Sequence, residues 1–297
     1  MSFKRSISSG AVSRARNYVL NNGISIPVQG YGLHNIPPSQ ATHLVTQALL
    51  TGYRLIDTGR YYNNETETTQ GILNFLNDHP EVERSEINYV TKIWHTEQGF
   101  DKTKLAIESS LKRAEGLNYI DLFLINSPLS NKRKRLETYQ ALQESVDQGL
   151  VKSIGVSNYG VRHLQELFEW DKLRILPVVN QLEYHPWLKR PEIQQYCQDH
   201  DMKIMGSASL TLAKMLSDPL LIDIADKHQC TTAQILLRWG YQQGVISLAG
   251  SKSPKRIMEN YEAIEKVREL SEDDMERLDF GKCYKVMCPW DPTTYKG

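Results

Sequence analysis

Three residues in the first third of the chain, Asp57, Tyr62 and Lys92, carry groups that could together protonate a substrate oxygen. A lysine ammonium in a pocket is costly unless a carboxylate holds it charged and oriented, and Asp57 could do this. An ammonium beside a tyrosine hydroxyl would lower the pKa of the phenol and make it a usable acid near neutral pH. Because a protein has no hydride of its own to give, reduction of a carbonyl at such a site indicates a nicotinamide cofactor.

Short β-rich segments alternate with helix-like segments along the chain, and they would position these residues. Strands are predicted at residues 28–30, 54–57, 87–92, 122–126, 153–156, 178–183, 203–207 and 246–248. Helices are predicted at residues 40–50, 104–115, 136–148, 161–170, 191–200, 219–227 and 232–242, with Ser39 and either Thr231 or Thr232 as N-caps. Eight parallel strands joined by right-handed crossovers close an α/β (β/α)8 TIM barrel. An open doubly wound sheet is the alternative, but no Gly-x-Gly-x-x-Gly follows the first strand.

The N-terminal part of the chain carries two further signals. Two short apolar stretches, residues 18–20 and 24–27, flank an Asn-Asn-Gly turn and predict a β-hairpin before the barrel. Residues 1–16 contain four basic residues and no acidic residue, which predicts a flexible basic tail, with a transit peptide as the alternative. No long low-complexity segment interrupts residues 17–297, so we expect one barrel domain there.

Polar or ionisable residues end the second to the seventh predicted strand, where the functional face of a TIM barrel lies. They are Asp57, Lys92, Asn126, Ser157 with Asn158, Gln181 with Glu183, and Ser207. Each residue alone has an ordinary structural explanation, but polar residues at six successive strand ends are not what a core requires. Together they predict a site at this rim.

Read in order, these segments resemble the aldo-keto reductase family. Residues 52–59, Gly-Tyr-Arg-Leu-Ile-Asp-Thr-Gly, and residues 61–65, Tyr-Tyr-Asn-Asn-Glu, are similar to the family signature around its catalytic Asp and Tyr. Residues 90–94, Val-Thr-Lys-Ile-Trp, resemble its lysine strand, and the resemblance covers about residues 17–280. It implies a monomeric or weakly dimeric enzyme that reduces an aldehyde or ketone with NADPH.

The resemblance also implies roles for individual residues. The catalytic residues would be Asp57, Tyr62, Lys92 and Asn126, with the proton coming from Tyr62. The cofactor would contact Gly32, Ser157, Asn158, Gln181, Ser207, Ser251, Lys252, Arg256, Glu259 and Asn260. Trp94 and Trp290 would line the substrate pocket, the latter on a C-terminal segment that folds over the mouth in the family.

Three positions depart from the family pattern. Asn126 stands where the family has its catalytic His, and an amide can donate a hydrogen bond but cannot relay a proton. Ser207 replaces the aromatic residue that stacks on the nicotinamide, and Gly250 replaces the lysine that contacts the 2′-phosphate. Two functions are therefore compatible with the sequence. One is NADPH-dependent carbonyl reduction; the other is a repurposed barrel with weakened or lost cofactor use, acting as a non-redox cyclase or isomerase or as a silent binding protein.

The composition and a few further residues bear on other classes of function, namely nucleic-acid, membrane and metal binding. Lys plus Arg and Asp plus Glu both number 35, so no net charge favours nucleic acid or an anionic membrane. The basic run at residues 131–135 is interpreted as a solvated loop and helix start. The four cysteines have no metal spacing, and His185 has no second ligand beside it, so we predict neither a disulfide nor a metal site. A cytoplasmic enzyme with a small-molecule carbonyl substrate is the resulting expectation.

Overall fold

The computed structural model describes residues 16–297, so the predicted tail lies, apart from Arg16, outside the described residues. The strands are β1 (Asn17–Val19), β2 (Ser25–Pro27), β3 (Gln29–Gly32), β4 (Leu55–Asp57), β5 (Asn88–Ile93), β6 (Ile120–Ile125), β7 (Val151–Ser157), β8 (Val179–Glu183), β9 (Lys203–Ser207) and β10 (Ile246–Ala249). The helices are α1 (Pro38–Thr51), α2 (Glu65–Asp78), α3 (Phe100–Arg113), α4 (Lys132–Asp147), α5 (Val161–Phe168), α6 (Pro191–Asp199), α7 (Pro219–His228), α8 (Thr232–Gln242), α9 (Pro254–Tyr261), α10 (Ala263–Lys266) and α11 (Glu272–Arg277).

Strands β3 to β10 form a closed barrel in which all eight neighbouring pairs are parallel. Strands β1 and β2 pair antiparallel as a separate hairpin, with Tyr18 opposite Ile26. The predicted (β/α)8 barrel with an N-terminal hairpin is thus confirmed. In the part of the chain described, no helix is long and apolar enough to cross a membrane. The division into a tail and one domain stays a prediction.

Alternation along the strands sorts side chains between the barrel interior and the helical layer. In β4, Leu55 belongs to the interior cluster, whereas Ile56 packs in the larger cluster between barrel and helices. Val90 in β5 joins the interior cluster as well, and so do Leu20 and Ile26 of the hairpin region. Because a strand repeats every two residues, the barrel interior is apolar in its lower part, and the hairpin residues extend that apolar cluster at the amino ends of the strands.

The same period places polar residues above this apolar layer. Asp57 stands two residues after the interior Leu55, and Lys92 stands two residues after the interior Val90. Gln181 follows Val179 in β8 at the same spacing. The polar groups therefore converge at the carboxyl ends of the strands, the rim where TIM barrels carry their sites.

The helix starts follow local chemistry that the sequence shows only in part. The predicted cap at Thr231 is confirmed, because its side chain accepts a hydrogen bond from the Gln234 backbone N–H at the start of α8. The predicted cap at Ser39 is wrong. Helix α1 begins one residue earlier with Pro38, which presets the helical φ angle, and Pro37 occupies the N-cap without a side-chain hydrogen bond.

Helix α2 was not predicted, and its sequence explains why. It contains Thr, Asn and Gly residues of low helix propensity. Gly71 has a structural reason to be there, since a Cβ at this position would lie 2.7 Å from the Thr42 carbonyl oxygen of α1. Close packing of α1 against α2, rather than intrinsic propensity, stabilises this helix.

Candidate active site

Asp57 and Lys92 form a buried ion pair at the upper end of the barrel interior. The Lys92 Nζ lies 2.7 Å from Oδ2 and 2.9 Å from Oδ1 of Asp57, and it donates to the Thr58 carbonyl oxygen at 2.6 Å. Their side chains are 3% and 1% exposed, respectively. Burial lowers the pKa of Lys92 below its usual value, and the Asp57 carboxylate opposes this shift. The two groups that the sequence predicts as a pair are therefore in direct contact.

Tyr62 lies on a short 3-10 turn, Arg60–Tyr62, that follows β4. The Lys92 Nζ is 4.8 Å from the centroid of its ring. Burial raises the pKa of the Tyr62 hydroxyl well above its usual value of 10, with further contributions from Asp57 and Cys288. The expectation of a lowered pKa is wrong, because burial of the phenol outweighs any effect of the nearby ammonium. The phenol is therefore held in its protonated form, as a proton donor requires.

A buried asparagine ties the loop of Tyr62 to the loop that follows β3. The Asn64 Nδ2 donates to the carbonyl oxygens of Leu33, at 3.1 Å, and Ile36, at 2.8 Å. Its Oδ1 accepts from the Thr58 hydroxyl at 2.6 Å, and the side chain is fully buried. The two loops thus hold a defined position relative to each other on the rim.

A cavity of about 530 Å³ opens above the ion pair. Eight of the predicted site residues line it: Tyr62, Trp94, Asn126, Ser157, Asn158, Gln181, Ser207 and Trp290. Glu183, which the sequence also placed among the polar residues of this rim, lines the cavity as well. The other lining residues were not assigned to the site from sequence: His34, Asn35, Tyr61, His95, Leu129, Arg190, Ala208, Leu212, Cys288 and Pro289. The cavity therefore brings Tyr62 and Asn126 together with the predicted nicotinamide and substrate residues, while Asp57 and Lys92 lie buried and do not line it.

Asn126 follows β6 at the edge of this cavity. Its backbone N–H donates to the Ile93 carbonyl, and its own carbonyl accepts from the Asn158 Nδ2 at 2.9 Å. The Asn126 side-chain amide forms no hydrogen bond with any residue of the described chain. It is therefore available to donate to a carbonyl oxygen that enters the cavity.

Ser157, Asn158 and Gln181 present acceptors of the kind a carboxamide needs. The Gln181 Nε2 donates to Asp57 Oδ2 at 2.8 Å and to Met205 Sδ at 3.0 Å, which turns its Oε1 away from these partners. The Asn158 Nδ2 donates to Ser157 Oγ at 3.1 Å, so the serine hydroxyl keeps its own proton for another acceptor. Two amide oxygens and one hydroxyl are thus left for a carboxamide, and these residues fit a nicotinamide.

The close approach of two glycines explains one departure from the expected pattern. Gly32 ends β3 beside Asp57, and a Cβ at Gly250 would lie 2.4 Å from the Gly32 carbonyl oxygen. Only a glycine fits at position 250 in this backbone. Ser207 ends β9 opposite Glu183 of β8, so no aromatic ring stands at that strand end.

The predicted adenosine-phosphate residues do not line the cavity; they lie on the loop and helix α9 that follow β10. Lys252 and Arg256 are exposed and form no ion pair within the described chain, whereas Glu259 pairs with Lys255 at 3.6 Å. The Ser251 carbonyl accepts from the Tyr31 hydroxyl at 2.7 Å, and Asn260 is buried. Two unpaired cations at a helix start suit a phosphate group.

Aromatic side chains form one wall of the cavity. The Tyr61 and Trp94 rings stack with centroids 4.2 Å apart, and the Trp290 ring lies 5.8 Å from Trp94. His95 packs on the Trp94 ring at 4.4 Å. The structure thus brings Trp94 and Trp290 together, although they are 196 positions apart in the sequence.

Buried polar groups hold the C-terminal segment that carries Trp290. The Glu183 carboxylate accepts from the backbone N–H groups of Met287, at 2.6 Å, and Cys288, at 3.1 Å. The Arg190 guanidinium donates to both carboxylate oxygens of Asp291 and to the Thr293 hydroxyl. These contacts fix the segment over the mouth of the barrel.

Sequence reasoning missed the place of two residues, His34 and Arg135. His34 comes directly after the Gly32-Leu33 end of the first barrel strand, a strand end that the rim analysis did not include. The interpretation of residues 131–135 as a solvated loop and helix start is confirmed for residues 131–134, which are exposed, but it is wrong for Arg135. Its side chain is 3% exposed and pairs with Glu166. Among residues 16–297, no group of three or more His, Cys, Asp or Glu side chains is arranged to hold a metal.

Comparisons with known proteins agree with this architecture. A family model described as the Aldo/keto reductase family matches residues 28–218 and 211–280. An uncharacterized oxidoreductase of Saccharomyces cerevisiae, YJR096W, is 41% identical over 269 residues, covering 90% of this chain and 95% of that protein. A glyoxal reductase of Bacillus subtilis is 36% identical over 261 residues, covering 88% of this chain and 90% of its own. The crystal structure of Gox0644 superposes with a TM-score of 0.84 at 34% identity, covering 95% of this chain and 99% of the other.

Proposed function

This chain belongs to the aldo/keto reductase family, and on that premise we propose that it reduces an aldehyde or ketone to an alcohol with NADPH. The family and the glyoxal reductase relative support carbonyl reduction by an oxidoreductase in general. The observation that carries the finer proposal is the protonated Tyr62 phenol beside the buried Asp57–Lys92 pair. A site without use would have no reason to keep a charged lysine in the barrel interior.

In the proposed mechanism each group has one task. The Asn126 amide donates a hydrogen bond to the substrate carbonyl oxygen and orients it toward Tyr62. The Tyr62 hydroxyl gives its proton to that oxygen. Lys92, held by Asp57, places a positive charge 4.8 Å from the phenol ring and stabilises the phenolate as it forms. NADPH, when bound, supplies the hydride for the carbonyl carbon.

The chain's own residues would hold the two ends of the cofactor. Ser157, Asn158 and Gln181 would bind the carboxamide of the nicotinamide through the oxygens described above, with Ser207 beside the ring. The adenosine phosphate end of the cofactor would contact Ser251, Lys252, Arg256, Glu259 and Asn260. Because Gly250 has no side chain, Lys252 and Arg256 would carry the charge interaction with the 2′-phosphate.

The substrate we propose is an uncharged carbonyl compound with a flat or apolar body. Charged side chains that line the cavity already have partners: Arg190 binds Asp291, and Glu183 binds His185 at 2.9 Å. The stacked Tyr61 and Trp94 rings, with Trp290, offer an apolar surface instead. A substrate carboxylate would find no unpaired cation among these cavity residues. A cytoplasmic location and a monomeric or weakly dimeric state stay predictions.

Titration of the protein with NADPH and NADP⁺ by calorimetry tests the cofactor. Dissociation constants in the micromolar range are expected, because the proposed carboxamide acceptors and the two exposed cations, Lys252 and Arg256, would both contribute to binding. No binding at millimolar cofactor would refute the reductase and leave the repurposed barrel, the function that Asn126, Ser207 and Gly250 favour. Lys252→Ala and Arg256→Ala should each weaken the binding of NADPH more than the binding of NADH. Lys296→Ala, near the C-terminus, serves as the control for loss of a surface cation.

A further inference from the structure

The proposed function, on which this inference rests, removes one proton from Tyr62 in every turnover. That proton must return from water before the next reaction. Asn126 cannot return it, because an amide neither gains nor loses a proton in the working pH range. Lys92 is placed to hold rather than to exchange its protons, since its Nζ already donates to Asp57 and Thr58. Neither of these neighbours of Tyr62 can therefore complete the cycle.

His34 stands beside Tyr62 in the cavity. It follows β3 on the rim, and its ring meets the Tyr62 ring edge to face, with centroids 5.1 Å apart and planes at 61°. His34 is exposed to the cavity and forms no hydrogen bond within the described chain, so its ring nitrogens are open to water and to a partner. The hydrogen bonds of the buried Asn64 to Leu33 and Ile36 hold this loop against the loop of Tyr62.

Among residues 16–297, one other histidine lines the cavity, and its contacts differ. His95 packs on the Trp94 ring at 4.4 Å, and its Nδ1 is buried without a hydrogen-bond partner. His95 therefore belongs to the aromatic wall. His34 is the imidazole whose ring contacts Tyr62.

We propose that His34 is the proton relay of this site. Once Tyr62 has given its proton to the carbonyl oxygen, the N–H of His34 passes a proton to the phenolate oxygen. The second ring nitrogen of His34 takes a proton from water in return. The imidazole is neutral before and after, the hydroxide left in water is balanced by the proton that the alcohol now carries, and no electrons move in this step.

The charges around His34 favour the neutral form that this relay needs. Burial in the cavity, and next the Lys92 ammonium, lower the pKa of His34 below its usual value of 6.5, while Asp57 acts in the opposite direction. A neutral imidazole has one donor nitrogen and one acceptor nitrogen. It can therefore give a proton on one side while it receives one on the other.

Chemical rescue tests the relay. We expect His34→Ala and His34→Phe each to lower kcat by about 100-fold, the usual scale for a lost proton-transfer group. Added imidazole should restore kcat in His34→Ala, which leaves space for it, and not in His34→Phe, whose ring fills that space and keeps the edge contact with Tyr62. His43→Ala, at an exposed histidine of α1, is the matched control and should keep wild-type kcat with no response to imidazole. Wild-type kcat in His34→Phe would overturn the proposal.

A second measurement does not depend on turnover. The protein is labelled with ¹⁵N-histidine and studied without cofactor, and the His34 ring signals are assigned by their loss in His34→Gln. These signals should shift in Tyr62→Phe, because that change removes only the hydroxyl. Unchanged signals would mean that the rings merely pack, and would overturn the relay. Absence of NADPH consumption by the wild-type protein would instead refute the proposed function, and the ¹⁵N comparison alone would then decide whether His34 exchanges protons with Tyr62.

Discussion

The side-chain amide of Gln181 donates a 2.8 Å hydrogen bond to Oδ2 of Asp57, although the two residues lie on strands β8 and β4, on opposite sides of the barrel. The bond crosses the interior just below the cavity. It links the carboxylate that holds Lys92 to a residue proposed to bind the nicotinamide. The proposed cofactor binding and the proposed proton donation would therefore be coupled through one amide.

Gln181→Leu should impair both functions together. The change removes a hydrogen bond to a charged group, an interaction of about 1.5–3 kcal/mol, so NADPH affinity and kcat should each fall by about 10-fold or more. Calorimetry and steady-state kinetics measure the two effects. Gln195→Leu, at an exposed glutamine of α6, is the control. A Gln181→Leu protein that loses affinity but keeps its kcat would show that the two functions are independent.

Lys92→Met should lower the free energy of unfolding by about 3–5 kcal/mol, because it leaves the Asp57 carboxylate buried without its charge partner. The double variant Lys92→Met, Asp57→Asn should regain much of this stability, because it buries no charge. Denaturant titration of the two proteins measures the difference. If the double variant were less stable than Lys92→Met, the loss of stability in Lys92→Met could not be due to the unpaired Asp57 carboxylate.

Ionisation of Tyr62 should not lower the rate of carbonyl reduction at any pH up to about 9, which is one unit below the usual tyrosine pKa. Burial, Asp57 and Cys288 raise the pKa of its hydroxyl, so the acid form persists at every pH below that raised value. The rate of carbonyl reduction at saturating NADPH measures this. The prediction would be contradicted if wild-type activity fell with a midpoint between pH 7 and 8 while the residual activity of Tyr62→Phe showed no such fall.

Trp290→Ala should raise KM for an aromatic aldehyde by about 3- to 10-fold, because an aromatic contact contributes about 0.5–1.5 kcal/mol. Trp290 lies 5.8 Å from Trp94 and closes one side of the wall. The KM for a small aliphatic aldehyde, which cannot reach both rings, should change little and serves as the internal control. Equal losses for both substrates would indicate that Trp290 supports the C-terminal segment rather than the substrate.

The sequence predicts the barrel well because strand signals are local. The alternation that makes Leu55 interior also makes Asp57 interior, so the rim residues could be identified before the structure. Helix α2 could not be predicted in this way. Its Gly71 is unfavourable in an isolated helix and makes sense only against the backbone of α1.

Long-range contacts account for the other differences. The raised pKa of Tyr62 follows first from burial of its hydroxyl, and no spacing in the sequence shows how deeply the folded chain buries it. The place of His34 depends on the two loops that Asn64 joins. Gly250 looks like a lost lysine in the sequence, whereas the structure shows a backbone contact with Gly32 that excludes any side chain.

The most direct test of the account is the single-turnover oxidation of NADPH by an aldehyde, followed at 340 nm in the wild-type protein and in Tyr62→Phe. The phenyl ring keeps the contact with Lys92 and removes only the proton to be donated. We predict that the wild-type protein oxidises NADPH and that the rate falls by at least about 100-fold in Tyr62→Phe, while NADPH still binds. An equal rate in the two proteins would contradict the assignment of Tyr62 as the proton donor.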